Sequence, residues 1–231
     1  MMKKSILLLA VVGVTAFSAC HNSGSKSLKT ESDSLAYAIG TDFGMSLKNV
    51  DSTIDVNVLA NAIRDALKNK PGMTPEASQA FIREYFMVRK PAKTKKESED
   101  FIANVVKNNK NAVQTSSGLV YEVIEEGGAK ATQNGDTVVV HYTGTFPNGT
   151  KFDSSHDRNQ PATFPLSNVI PGWTEGMKLV GKGGKIKLWI PSDLAYGEQG
   201  NYGIAPNQAL VFDVEILDVK PAVAADSTAR K

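Results

Sequence analysis

The run T-V-V-V-H-Y-T-G-T-F-P-N-G-T-K-F-D-S-S, Thr137 to Ser155, decides the fold of this chain. Val138, Val140 and Tyr142 alternate with Val139, His141 and Thr143, a period of two that places one set on each face of a strand. Asn148-Gly149 is a hairpin signal, and the chain returns through Lys151-Phe152-Asp153. Working outward, the same period appears in Leu119, Tyr121 and Val123 against Val120, Glu122 and Ile124, after Ser116-Ser117-Gly118. It returns in Ile186, Leu188 and Ile190 against Lys185, Lys187 and Trp189, which predicts a sheet with one wet face. Phe212, Val214 and Ile216 close the series. Between these strands a short helix is predicted from Pro171 to about Leu179, with Pro at its start and Gly181 beyond its end. The fold class is therefore α+β: an antiparallel sheet with a short helix packed on one face.

Upstream the period is helical. Leu35, Ile39, Phe43 and Leu47 share one face of a first helix that Ser32 or Asp33 can cap. Asp55 caps a second, lined by Leu59, Ile63 and Leu67, which Asn69-Lys70-Pro71-Gly72 ends. Thr74-Pro75-Glu76 opens a third with the stripe Phe81, Tyr85 and Val88, and Lys90-Pro91 marks a boundary. Thr94-Lys95-Lys96-Glu97 reads as a capping box that starts a fourth helix carrying Phe101, Ile102, Val105 and Val106. These narrow stripes make a thin core. Two readings stand: the helices cover their stripes with a second copy, or they form a small monomeric bundle.

The ends are read from composition. Met1-Met2-Lys3-Lys4 is basic, Ile6 to Phe17 is apolar but too short to span a bilayer, and Ser18-Ala19-Cys20 follows. Residues 1–19 are read as a lipoprotein signal peptide, with Cys20 as the lipid-modified residue. An ordinary secretory signal with an incidental Cys is the rival reading, but this is the only Cys among 231 residues. Several acyl chains on Cys20 would hold the chain to a membrane. Residues 20–30 read as a flexible tether, 31–112 as the helical domain, 113–220 as the sheet domain and 221–231 as a disordered tail.

A net charge of +2 gives no reason to expect nucleic acid or an acidic substrate. His21, His141 and His156 show no metal spacing, and no nucleophile elbow, phosphate loop or dinucleotide fingerprint stands in a suitable context. Gly181-Lys182-Gly183-Gly184 precedes a strand and is read as a turn. No metal and no cofactor are expected. A catalyst built from this chain must work by binding and distortion. What remains is a concentration of aromatic residues, which singly would be ordinary core.

Together with V-I-P-G-W-T-E-G-M (Val169 to Met177), A-Y-G (Ala195 to Gly197) and L-V-F-D-V-E (Leu210 to Glu215), the opening run resembles the FKBP-type peptidyl-prolyl cis-trans isomerases over roughly the last hundred residues. The helical part is similar to the dimerisation domain of the subgroup like macrophage infectivity potentiator. The resemblance implies an antiparallel half-barrel wrapped round one short helix, with an apolar pocket between them. It assigns the floor of that pocket to Trp173 and the walls to Tyr142, Phe152 and Phe212. Phe164, Val169 and Ile170 would line the inner edge, with the Ile170 N–H bound to a substrate carbonyl. Asp153 and Tyr196 would give polar contacts at the rim, and Ile204 lies on a flap from Gly197 to Asn207. Ala162, Asn201 and Ala205 depart from common family residues and imply a wider mouth. The implied partners are proline-containing polypeptides and unfolded exported proteins, a second copy through the N-terminal helices, and a possible macrolide ligand. The implied place is the bacterial cell envelope, lipid-anchored to the outer membrane and facing the periplasm. A chaperone that holds unfolded chains on its helices is the rival from another class.

Overall fold

The computed structural model describes residues 28–50, 53–131 and 133–222. The signal peptide, Cys20, most of the tether and the tail beyond residue 222 lie outside the described residues. The chain divides into two compact units, one up to Gly72 and one from Met73 onward.

The first unit carries α1 (Glu31–Val50) and α2 (Val56–Leu67). The start of α1 is capped two to three residues earlier than the sequence predicts. Thr30 Oγ1 accepts from the Asp33 N–H at 3.0 Å, and Asp33 Oδ2 accepts from the Thr30 N–H at 3.0 Å. This reciprocal pair satisfies two orphan donors at once. Asp55 caps α2 as expected, accepting from the Asn57 N–H at 2.7 Å. No described residue of this unit is buried, and Leu35, Ile39, Phe43 and Ile63 are all exposed.

The second unit opens with α3 (Pro75–Glu84), capped by Thr74 with Pro75 in its first turn. Lys90-Pro91 does not break the chain here. A wide π turn, Tyr85–Arg89, carries α3 directly into α4 (Lys90–Asn108). Pro91 follows directly on this wide turn, where the regular i→i−4 ladder is already interrupted. Thr94 is consequently inside the helix, and its Oγ1 donates back to the Lys90 carbonyl at 3.0 Å instead of capping.

The sheet has seven strands, all paired antiparallel: β1 (Val113–Gln114), β2 (Val120–Glu125), β3 (Thr137–Thr145), β4 (Lys151–Ser154), β5 (Ala162–Pro165), β6 (Lys185–Ile190) and β7 (Leu210–Lys220). The order is β1-β2-β6-β7-β3-β4, with β5 also on β3. Strand β3 runs the full length of β7 on one edge. Its other edge is shared, β5 taking the Thr137–Val140 end and β4 the Thr143–Thr145 end. The chain between β4 and β5 therefore loops out past the middle of β3, beside Tyr142.

One face of the sheet packs on α5 (Pro171–Gly176) around Leu119, Val138, Val140, Met177, Leu188, Leu210 and Ile216, all fully buried. α5 lies close because Gly172 and Gly176 face Ile190 and Leu188. A Cβ on either glycine would come within 2.7 Å of those side chains. The other face is only partly wet. Ile102 of α4 covers Val120, Trp189, Ala209 and Val211, with Phe101 and Val105 beside it. Trp189, on the face the sequence reads as wet, is accordingly buried.

Candidate active site

Alternation along β3 turns Tyr142 toward α5, while Val139, His141 and Thr143 take the opposite face. Phe212 lies across from Gly144 in the register of β7 and shares its face with Tyr142. Gly144 is glycine for a steric reason. A Cβ there would meet the rings of Phe152 and Phe212 at 2.7 and 2.8 Å. The absent side chain lets both rings close over β3.

Trp173, from α5, is the hub. Its ring meets Tyr142 and Phe212 edge-on at 5.2 Å each and Phe164 at 5.5 Å. Phe152 meets Phe212 at 5.6 Å and Phe146 at 4.9 Å. These separations are those of attractive edge-to-face or offset aromatic pairs. The rings enclose a hollow of about 380 Å³ lined by Tyr142, Phe152, Asp153, Phe164, Asn168, Val169, Ile170, Trp173, Tyr196 and Phe212. The size suits a small apolar ring with its adjoining backbone. Among the described residues, a hollow between α4 and Pro191 and another beside Lys178 have larger volumes, but neither gathers a ring of aromatics.

Nine of the ten residues singled out for the pocket in the sequence line this hollow. Ile204 does not. It is buried, packs into the core cluster and bridges back to Asn201, so it supports the flap from behind. Ala162 lies in β5 opposite Val140, away from the lining.

The polar groups of the site form one network. The Tyr142 hydroxyl donates to Asp153 Oδ2, Arg158 Nη1 donates to Asp153 Oδ1, and Arg158 Nη2 donates to the Tyr142 oxygen at 2.9 Å. The guanidinium also lies 5.8 Å from the Tyr142 ring centre. Burial pushes the Asp153 carboxyl up, but hydrogen bonds from Tyr142 and Arg158 outweigh it and hold the group below the usual carboxylate range. Burial, then the Asp153 bond, pushes the Tyr142 phenol up, so it stays a neutral donor at physiological pH.

Sequence reasoning missed Arg158 and Asn168. Arg158 stands five residues past Asp153 in the β4–β5 loop, and only the folding of that loop beside Tyr142 brings it in. Two donors remain open. Trp173 Nε1 is buried with no partner among the described residues. The Ile170 N–H, at the N-cap of α5, has none among them either.

The chain is similar to known proteins over most of its length. Residues 128–217 match the model of the FKBP-type peptidyl-prolyl cis-trans isomerase family, and residues 32–123 match the domain amino-terminal to it. The isomerase FkpA of Escherichia coli K12 is 40% identical over 215 residues, which cover 86% of this chain and 80% of that protein. Outer membrane protein MIP of Legionella longbeachae is 34% identical over 232 residues, covering 96% and 100%. The crystal structure of E. coli FkpA superposes with a TM-score of 0.59 at 37% identity, covering 85% of this chain and all of that one. The chain belongs to the FKBP-type peptidyl-prolyl cis-trans isomerases, α+β enzymes that exchange the cis and trans forms of X–Pro bonds in polypeptides.

Proposed function

We propose that the ring of aromatics around Trp173 is the isomerase site and that it works without proton transfer. Amide resonance opposes rotation about X–Pro with a barrier of roughly 18–20 kcal/mol, so the free peptide exchanges over roughly tens to hundreds of seconds. Water stabilises the planar, charge-separated amide. A prolyl ring seated on Trp173 between Tyr142, Phe152 and Phe212 leaves that water behind, which favours the twisted form. The Ile170 N–H would hold the carbonyl of the bound segment. Asp153, kept ionised by Arg158 and Tyr142, orients the polar edge and transfers nothing.

The observation that carries this reading is the single hollow formed by rings from β3, β4, β5, α5 and β7. The test is an isomerisation assay on a prolyl peptide. Phe212→Ala removes a wall, and Asp153→Ala removes a charged acceptor. A lost hydrogen bond to a charged group is worth ~1.5 kcal/mol and ~1.4 kcal/mol is tenfold in rate, so Asp153→Ala should lose about tenfold in kcat/KM. Phe212→Ala, which removes an apolar contact of ~1.5–3 kcal/mol, should lose at least as much, and both should keep their circular dichroism. Undiminished turnover in both would remove the site assignment.

Residues 113–220 act in this proposal as the isomerase domain and 31–112 as a mount. Exposed Leu35, Ile39, Phe43, Ile63 and Phe81 support pairing of two copies through the helices. Such a surface also supports a second reading, that the helices hold unfolded clients. Clients would be exported proteins if Cys20 is lipidated and the chain faces the periplasm. The name of the Legionella relative supports an envelope location. No helix among the described residues is long and apolar enough to cross a membrane. The pocket could also take a macrolide in place of a prolyl segment.

A further inference from the structure

Ser98 is out of keeping with its surroundings. It is 5% exposed and lies on the stripe of α4 that carries Phe101, Ile102 and Val105. Alanine would pack there and favour the helix more. The Ser98 hydroxyl has one visible use: Oγ accepts from the N–H of Ala209, fully buried just before β7, at 2.9 Å.

A second tie lies two residues earlier. Asn207 is 6% exposed and left-handed at φ 60°, and its Nδ2 donates to the Pro91 carbonyl of α4 at 3.3 Å. Its own N–H donates at 2.8 Å to the carbonyl of Gly197, next to Tyr196 of the pocket. Buried polar groups keep their partners because losing one leaves the other unsatisfied. A continuous route of bonds thus runs from α4 through Asn207 to the peptide beside Tyr196.

We infer that Ser98 and Asn207 are positioning residues: Asn207 ties the end of the Gly197–Asn207 flap to α4, Ser98 pins Ala209 just beyond that end, and together they set Tyr196 over the bound prolyl segment. The latch acts on the sheet face opposite the pocket, so it adjusts how substrate is held and leaves the rings of the pocket in place. The inference rests on the pocket assignment above, but part of its test does not.

The experiment uses the full chain. Ser98→Ala should raise KM for a prolyl peptide roughly three- to tenfold, with kcat within about twofold of the parent. Hydrogen exchange should quicken in residues 195–209 and stay unchanged in β3 and α5. Asn207→Gly keeps the left-handed backbone and removes only the side-chain tie, so it should loosen the same segment. Ser98→Thr keeps the hydroxyl and should restore both KM and exchange. Unaltered exchange at 195–209 in both Ser98→Ala and Asn207→Gly would overturn the latch, whatever the pocket does. Faster exchange throughout the unit with a matching fall in kcat would also overturn it, because that marks a merely structural role. If Asp153→Ala and Phe212→Ala keep full turnover while the flap still loosens, the pocket assignment is what fails.

Discussion

Leu188 in β6 and Leu35 in α1 are the same residue in opposite circumstances. Leu188 is fully buried between α5 and the sheet, and Leu35 is 63% exposed on a helix without a single buried described residue. The contrast holds for the two regions as wholes. The sheet completes its core within its own chain, with the rings round Trp173 at one end of it. The helices up to Gly72 present their apolar stripes outward. A region that cannot bury its stripe alone has a surface to share, and one that can is free to keep a hollow open.

The sharpest way to break this comparison is to move the line between the regions. The sequence places the domain boundary at residue 113, but the compact unit begins at Met73, and α4 covers Val120, Trp189 and Val211. A fragment of residues 113–222 uncovers that face, whereas 73–222 keeps it. Ile102 together with half-buried Phe101 and Val105 makes about two side-chain equivalents at ~1.5–3 kcal/mol each. The shorter fragment should therefore be less stable in urea by about 3–6 kcal/mol. Equal midpoints would mean that α4 merely lies against the sheet.

A smaller effect separates the two leucines. Leu188→Ala should cost about 3 kcal/mol, the usual toll of a buried leucine, lowering Tm by roughly 6–12 °C for a unit of this size. Leu35→Ala should change the stability of a monomer by no more than ~0.5 kcal/mol. If a second copy covers α1, Leu35→Ala would instead make the melting temperature fall more on dilution than the parent's does. Melting curves over a hundredfold range of concentration decide between these.

How much of this was legible in the sequence follows from where each signal lives. Strands β3, β6 and β7 were readable because one face is wholly buried and the period of two is strict at Val138, Val140 and Tyr142. The pocket residues were readable through their resemblance to a family, residue by residue; without it Trp173 or Phe212 reads as core. Three things were not readable. Trp189 looked wet because its cover, Ile102, lies far away in sequence on another element. Pro91 looked like a stop because a proline after a wide turn and a proline at a break have the same local signature. Arg158 and Ser98 act across loops and layers, and no local period records such contacts.

The smallest predicted effect tests the polar edge of the pocket. In the fold the Asp153 carboxyl is held below its ordinary value because the bonds from Tyr142 and Arg158 outweigh its burial. A depressed carboxylate contributes stability at pH above its unfolded value of 3.8, and that contribution is lost as pH falls through the lower folded value. Activity that needs the ionised form should then persist into mild acid and fall only on the acid side of the unfolded value. Arg158→Gln removes one hydrogen bond and the positive charge, so burial counts for more and the folded value moves up. The acid limb of kcat/KM should move to higher pH in this variant, with activity near neutrality little changed. The assay is a pH series at constant ionic strength on a prolyl peptide without ionisable side chains. Superimposable acid limbs would show that Asp153 owes its ionisation to groups other than Arg158, namely the Tyr142 hydroxyl and the Ser154 backbone N–H.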